Sequence, residues 1–514
     1  MPKPMTNGHE KSDLAIVAGK PANDVRQRAE ERVEPRAGTK ENVLQGSMPR
    51  TPRRPVMSPG LERVRQVAKG LKKERFTALL HHVTTELLGY AYSALKREAA
   101  PGVDGVTWND YGQNLEVKLM DLHGRIHRGA YRAQPSRRKF IPKPDGRKRP
   151  LGIAALEDKI VQRALVEVLN AVYEEDFLGF CYGFRPGRSQ HDALDALAVG
   201  IERQQVNWIL DADIASFFDT VDHAWLIRFL ELRIGDPRVI RLIRKWLKAG
   251  VMEEDGRVSP THKGTPQGAV ISPLLANIYL HYVFDLWAHQ WRNRHAHGNV
   301  IFVRYADDIV VGFARQEEAK AFEAALHARM AQFALTLHPE KTRLIEFGRH
   351  AAAKRKARGL GKPETFNFLG FTHICGRSRR GGFQLRRASR RDRMGAKLKA
   401  VKEELRRRWH EPVSDQGRWL QQVVRGWFNY HAVPTNIVSL GRFRHCVSDI
   451  WLRALRRRSQ KDHTPWIKMR KVIERWLPKP RITHPWPNTR FDVKHPRWEP
   501  YALIGPVRIC AGGA

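Results

Sequence analysis

Apolar residues recur at helical spacing over several stretches of the chain and gather into short runs between them. Leu79, Leu80, Val83, Leu87, Leu88, Ala91 and Leu95 predict one helix over 76–95, after a shorter one over 61–71. The same spacing predicts helices over 157–173, 225–247 and 272–287. Residues 206–214 read as a short apolar strand interrupted by acids, and 300–313 as two short strands around a turn. A basic hairpin is expected over 137–150, turning at Lys143-Pro144-Asp145-Gly146. Strands that alternate with helices in this way predict an α/β or α+β core. Helical periodicity resumes over 394–409, 419–430 and 442–459, whereas 478–506, dense in Pro, Trp and Arg, reads as an irregular surface module. Residues 1–60 show no apolar periodicity and are expected to stay mobile or to fold only on a partner.

Composition narrows the function classes. A chain of 514 residues suggests two to four compact regions. It carries 91 Lys+Arg against 53 Asp+Glu, a formal charge of +38. Self-repulsion on that scale calls for a polyanion, with nucleic acid the first candidate and an anionic membrane the second. No apolar run approaches the ~20 residues of a spanning helix, and 1–20 lack the apolar stretch of a secretory signal, so no membrane role is expected. Cys181, Cys375, Cys446 and Cys510 are far apart and form no C-x-x-C, which argues against a disulfide framework or a Cys-based zinc site and for a reducing, intracellular setting. From 375 to 514 there are 33 Lys+Arg against 10 Asp+Glu, a net of +23.

The candidate chemistry is acidic. In Val303-Arg304-Tyr305-Ala306-Asp307-Asp308-Ile309-Val310-Val311 two adjacent carboxylates sit at a turn between apolar strands. Taken alone, this is also what an ordinary acidic hairpin turn looks like. A second segment, Asp211-Ala212-Asp213-Ile214, places Asp211 and Asp213 on one face of a strand, because side chains alternate with period two. Two acidic strand ends that meet could hold two Mg²⁺ ions and stabilise both oxygens of a phosphoryl transfer.

In these segments the chain resembles the reverse transcriptases. Asp213-Ile214-Ala215-Ser216-Phe217-Phe218-Asp219 is similar to motif A of that family and Tyr305-Ala306-Asp307-Asp308 to motif C. Between them, Lys263-Gly264-Thr265-Pro266-Gln267-Gly268 through Ile278 is similar to motif B. Leu337-His338-Pro339-Glu340-Lys341-Thr342 and Phe366-Asn367-Phe368-Leu369-Gly370-Phe371 follow in family order. Pro101–Thr107, Ile141–Ile153, Gly183–Ser189 and Gly426-Trp427-Phe428-Asn429-Tyr430 select the group II intron-encoded branch, reverse transcriptases with a maturase domain. The similarity runs over about 60–514. It departs where many relatives carry a C-terminal Cys/His endonuclease domain, of which this sequence has no sign.

The resemblance implies an α+β right-hand polymerase. Its expected parts are a disordered basic extension (1–60), fingers and palm (61–375), an α-helical thumb or maturase domain (376–460) and a small basic DNA-binding region (461–514). Metal binding falls on Asp213, Asp307 and the Ile214 carbonyl, with Asp308 in support and two Mg²⁺ as cofactor. Phe218 would be the steric gate that favours dNTPs, although a packed core Phe reads the same. Gln267 would lie beside the incoming base pair, or else cap a helix. Lys143 and Arg149, and less directly Arg137, would grip the triphosphate, unless the hairpin is merely a solvated basic one. Arg453, Arg456 and Arg457 would form an RNA-binding face, and Arg406–Arg408 another cluster. Trp409, Trp419, Trp427, Trp451, Trp466, Trp476 and Trp486 interleave with these charges, many of them as core.

The expected function is an RNA-directed DNA polymerase that binds its own group II intron RNA, assists splicing, and copies the intron into a DNA target from dNTPs during retrohoming. Its expected place is a bacterial-type cytoplasmic ribonucleoprotein associated with the nucleoid; the sequence assigns no oligomeric state. Two other functions fit the motifs: a host-adopted reverse transcriptase in defence or diversification, and a maturase that only splices. The intact Asp213, Asp307 and Asp308 argue against the second of these.

Overall fold

The computed structural model describes residues 58–142, 148–458 and 464–494. Most of the extension expected over 1–60 therefore lies outside the described residues, as do Lys143 and the final part of 461–514. Mixed α and β structure agrees with the expected α+β class. Strands are β1 (Ser136–Pro142), β2 (Lys148–Ile153), β3 (Trp208–Asp213), β4 (Val251–Met252), β5 (Val258–Ser259), β6 (Val300–Tyr305), β7 (Asp308–Phe313), β8 (Arg343–Glu346), β9 (Phe366–Phe368), β10 (Phe371–Arg377) and β11 (Phe383–Ser389). They form sheets in the orders β2-β1-β4-β5, β6-β7-β3-β8 and β11-β10-β9.

The β6-β7-β3-β8 sheet is antiparallel throughout and buried on both faces. Leu210, Ala212, Phe302, Ile309 and Val311 face a large helical core. Ile209, Ile301, Val303, Val310 and Ile345 face a second core, shared with the β9–β11 sheet. Burial on both sides explains why β6 and β7 read as nearly continuous Val/Ile/Phe runs.

The helices that matter here are α1 (Pro59–Gly70), α2 (Thr85–Ser93), α3 (Leu156–Asp176), α4 (Gln190–Arg203), α5 (Phe217–Thr220), α6 (His223–Glu231), α7 (Pro237–Lys248), α8 (Ser272–Leu280), α9 (Leu286–His295), α10 (Gln316–Gln332), α11 (Arg391–Arg407), α12 (Val413–His431), α13 (Ile437–Arg456), α14 (Trp466–Trp476) and α15 (Pro487–Lys494). Two of the expected helices are broken, and by the same residue. Asp236, fully buried, accepts the N–H groups of Leu79 and Leu80 at 2.9 and 3.0 Å and caps α7 through the Arg238 N–H at 3.0 Å. Phe76 thus spends its N–H on the Arg233 carbonyl and Leu79 and Leu80 spend theirs on Asp236, and α2 starts only at the Thr84 cap. On the other side, 225–247 splits into α6 and α7 at Gly235-Asp236-Pro237, since Pro fits the first turn of a helix but not its interior. The Arg238 guanidinium, which donates to the same carboxylate, and these backbone hydrogen bonds hold the Asp236 carboxyl down at about 2 although burial alone would raise it.

The expected 272–287 helix begins as α8, passes through a π-helical turn at His281–Asp285, and continues as α9. Sheet β11-β10-β9 precedes α11, so the composition shift near 375 falls inside the β10–β11 hairpin. Helices α12 and α13 bury Trp427 against Phe443, rings 4.5 Å apart, and Trp451, whose Nε1 donates to Gln416 Oε1 at 2.9 Å. These tryptophans are core; Trp409, Trp466 and Trp486 stay exposed. The 478–506 segment is not wholly irregular, because α15 forms in it and packs on α4. Among the described residues no helix is long and apolar enough to cross a membrane.

Candidate active site

Register brings the two acidic strand ends together. β3 and β7 pair antiparallel with Asp213 opposite Asp308 and Asp211 opposite Val310. Period-two alternation then puts Asp211, Asp213 and Asp308 on one face of the sheet. Asp307 occupies the two-residue turn between β6 and β7, next to Ala306, which has a positive φ of 56°. Ile214 lies one residue past β3, bridged to Leu337.

Two carboxylates directly across a strand pair repel each other. The chain offsets this with a cation: Lys341 Nζ lies 2.5 Å from Asp213 Oδ2. The backbone supports the contact, since the His338 N–H donates to the Asp213 carbonyl at 2.7 Å. Deeper in the sheet Asp211 is pushed up to about 7, chiefly by burial, with Arg343 opposing and Asp213 adding to the shift. Among the described residues no group of three or more His, Cys, Asp or Glu is gathered tightly enough to hold a metal ion. The donor chemistry still fits a hard divalent cation. Asp213 and Asp308 supply carboxylate oxygens across one strand pair, and Lys341 provides the positive charge the pair requires.

Just beyond β3 in the chain, the short helix α5 and the loop before α8 line a cleft of ≈ 490 Å³. Phe218, Asp219, Lys263, Gly264 and Gln267 line one side, and Arg138, Phe140 and Pro150 of the β1–β2 hairpin line another. The loop fits closely against α5. The Thr265 N–H donates to the Phe218 carbonyl at 2.7 Å, and a Cβ on Gly264, at φ +82°, would stand 2.7 Å from that oxygen. Arg149 Nε donates to Gln267 Oε1 at 2.8 Å, and Gln267 Nε2 reaches Asp219 Oδ1 at 3.4 Å. A basic residue of the hairpin is thereby tied to the loop, and the cleft volume suits a small ligand.

The structure thus sets Asp213 opposite Asp308, with Asp307 in the adjoining turn and Ile214 one residue past β3, and places Phe218 and Gln267 around one cleft with Arg149 bonded to Gln267. In the sequence Lys341 and Asp219 are only parts of motifs; their partners lie 128 and 48 positions away, so spacing gives them no role. Arg453, Arg456 and Arg457 lie on another element, exposed at the end of α13. Arg453 pairs with Asp449 at 2.9 Å, and Arg456 donates to the Thr464 carbonyl. Arg408 departs from the expected 406–408 cluster. It is turned inward, paired with Glu404 and Glu411 and stacked over Trp419.

Residues 141–373 match the family model for reverse transcriptase (RNA-dependent DNA polymerase). The chain carries a reverse transcriptase domain. It is 37% identical over 240 residues to "Protein YkfC" of Escherichia coli K12, covering 41% of this chain and 62% of that protein. It is also 37% identical over 223 residues to "Group II intron-encoded protein LtrA" of Lactococcus lactis subsp. cremoris, covering 43% of this chain and 37% of that one. "Putative COX1/OXI3 intron 1 protein" of Saccharomyces cerevisiae is 27% identical over 324 residues, 54% of this chain and 38% of its own. In each case the chain spans less than two thirds of the relative. The reverse transcriptase domain contains the acidic turn, both paired strand ends, and the loop with Gln267.

Proposed function

We propose that the chain copies RNA into DNA by extending a DNA 3′ end with dNTPs, in the service of a group II intron. In this reading the β6-β7-β3-β8 sheet is the palm, the β1–β2 hairpin belongs to the fingers, and α11–α13 are the thumb and maturase domain. Asp213, Asp307 and the Ile214 carbonyl, supported by Asp308, would hold two Mg²⁺ ions. When bound, such ions supply charge neutralisation at the attacking and leaving oxygens. The chain's own residues do the rest. The Phe218 ring closes the space a ribose 2′-OH would need. Gln267 flanks the incoming base pair and, through Oε1, aims Arg149 at the triphosphate, whose charge Arg149 and Lys143 balance. Arg453, Arg456 and Arg457 would contact the intron RNA during splicing assistance, and residues 461–514 the DNA target. The +38 charge supports polyanionic partners.

The observation that carries the reading is the pairing of Asp213 with Asp308 across β3 and β7, on the strand that leads into the helix whose Phe218 lines a cleft with Gln267. Asp307→Asn tests it. The variant should lose DNA synthesis on a primed RNA template by about a thousand-fold or more while RNA binding persists, because the acids are not phosphate contacts. Synthesis near the wild-type rate would overturn the assignment.

A further inference from the structure

The Tyr305–Asp308 turn rests on a buried polar cluster that has no part in the chemistry above. Arg304 points away from the acidic face of β6 and is wholly buried. Its Nε and Nη2 donate to the two carboxylate oxygens of Asp285 at 2.7 and 2.5 Å. Nη1 donates to Asn277 Oδ1 at 3.0 Å and to the carbonyl of Ala306, inside the turn, at 3.1 Å. Asn277 Nδ2 donates in turn to the Gly183 carbonyl at 2.6 Å. Gly183 backs directly onto the turn, where a Cβ would come within 2.2 Å of the Ala306 nitrogen. Asp285 closes the π-helical turn between α8 and α9, the local distortion that brings its carboxylate under β6. Single π turns of this kind are frequent at functional sites.

Burying Arg304 works against its charge, and the Asp285 carboxylate more than offsets this and keeps the guanidinium protonated. Desolvating two such ions is costly, and the closure of a hairpin does not require it. What the arrangement does supply is a fixed carbonyl at Ala306, a residue already at positive φ and bonded to Asp307.

We propose that Arg304 and Asp285 are positioning residues: through the Ala306 carbonyl they fix the orientation of Asp307 and Asp308. The inference rests on the polymerase reading of the acidic turn. Two full-length variants test it. Arg304→Lys keeps the buried charge beside Asp285 but lacks the planar fork that reaches Asp285, Asn277 and Ala306 together. The double variant Arg304→Met with Asp285→Leu replaces the ion pair by apolar volume, an exchange that is often neutral or stabilising. Thermal melting reports the fold of each. Both should show kcat for dNTP incorporation lowered about ten- to hundred-fold, the usual effect of removing an outer partner of metal-holding groups. The KM for dNTP should stay near wild type. Mn²⁺ binding without substrate, followed by water-proton relaxation, should weaken by a similar factor. A folded variant that binds Mn²⁺ and turns over like wild type would overturn the proposal. Wild-type protein that binds Mn²⁺ but incorporates no dNTP would instead overturn the polymerase reading, and the Mn²⁺ measurement would then decide the positioning role.

Discussion

Phe218 has to serve two environments. Its ring packs edge-on against Phe217, centroids 5.5 Å apart, and only 8% of the residue is exposed, yet it lines the cleft beside Gln267. A side chain that merely filled the core would affect stability alone. One that walls the sugar site would also set selectivity. Phe218→Ala should therefore raise the ratio of rNTP to dNTP incorporation roughly ten- to hundred-fold, the range that a shaped apolar wall provides. Single-nucleotide extension assays on the folded variant give the ratio; a lower melting temperature with no change in the ratio would make Phe218 a packing residue. At this scale the sequence was most legible where local rules suffice. Alternation put Asp211 and Asp213 on one face, and two adjacent acids between apolar runs marked the turn. It was least legible where a side chain's partner is distant, as for Lys341 on Asp213 or Arg304 beneath Ala306. No local pattern encodes which cation will settle on which acid.

Between elements, a similar limit governed the helices. Apolar spacing alone runs through 76–95 and 225–247 without a break, because Leu79 and Leu80 are buried whether or not their N–H groups are helical. The break comes from Asp236, 157 positions beyond Leu79. The C-terminal region was harder still, since α15 is held by charges on α4: Arg490 pairs with Asp195, Lys494 with Asp192 and Arg203 with Asp492. His484 lies in this contact with its tautomer fixed. Nε2–H donates to the Asn429 carbonyl at 2.6 Å and Nδ1 accepts from Arg490 Nη2 at 2.7 Å, while the ring stacks on His191. Burial first, then Arg490, Arg387 and His431, hold its pKa at about 4, well below the ordinary 6.5. The sign follows. Between about pH 6.5 and 4 the unfolded chain binds the proton that the folded chain refuses, so this contribution is complete above 6.5 and is lost as pH falls. His281, also at about 4 through burial beside Arg304 and Arg185, acts in the same direction. His484→Gln can make both hydrogen bonds without titrating. It should leave stability at pH 7 nearly unchanged and recover roughly 1–2 kcal/mol of the loss at pH 5. Urea unfolding midpoints at the two pH values measure this, and an acid response equal to wild type would show that the α15 contact does not set it.

Over the whole molecule, charge dominates. More than half of the +38 sits in residues 375–514, where tryptophans build the helical core and arginines remain at its surface. Ion pairs within the chain do little to consume that excess: the Arg453–Asp449 contact is solvent-exposed, and such pairs contribute little. A surface of this kind gains most from releasing counterions along a phosphate backbone. Binding to structured RNA should then be steeply salt-dependent. By analogy with duplex DNA, six to ten phosphate contacts would lose about 10³–10⁵ in affinity between 50 and 200 mM salt. Replacing Arg453, Arg456 and Arg457 with Gln should flatten the plot of log K against log salt by about two to three. The change should fall in the lower part of that range, since Arg456 already donates to Thr464. The acidic turn and the cleft lie on other elements, so DNA synthesis on a short primed template should keep its rate, and only tasks that require grip on a long folded RNA should weaken. Filter binding across a salt series, run beside primer extension with the same preparation, separates the two. A slope identical to wild type would place the RNA on another face of the molecule, and a parallel fall in primer extension would show that these arginines hold the template itself.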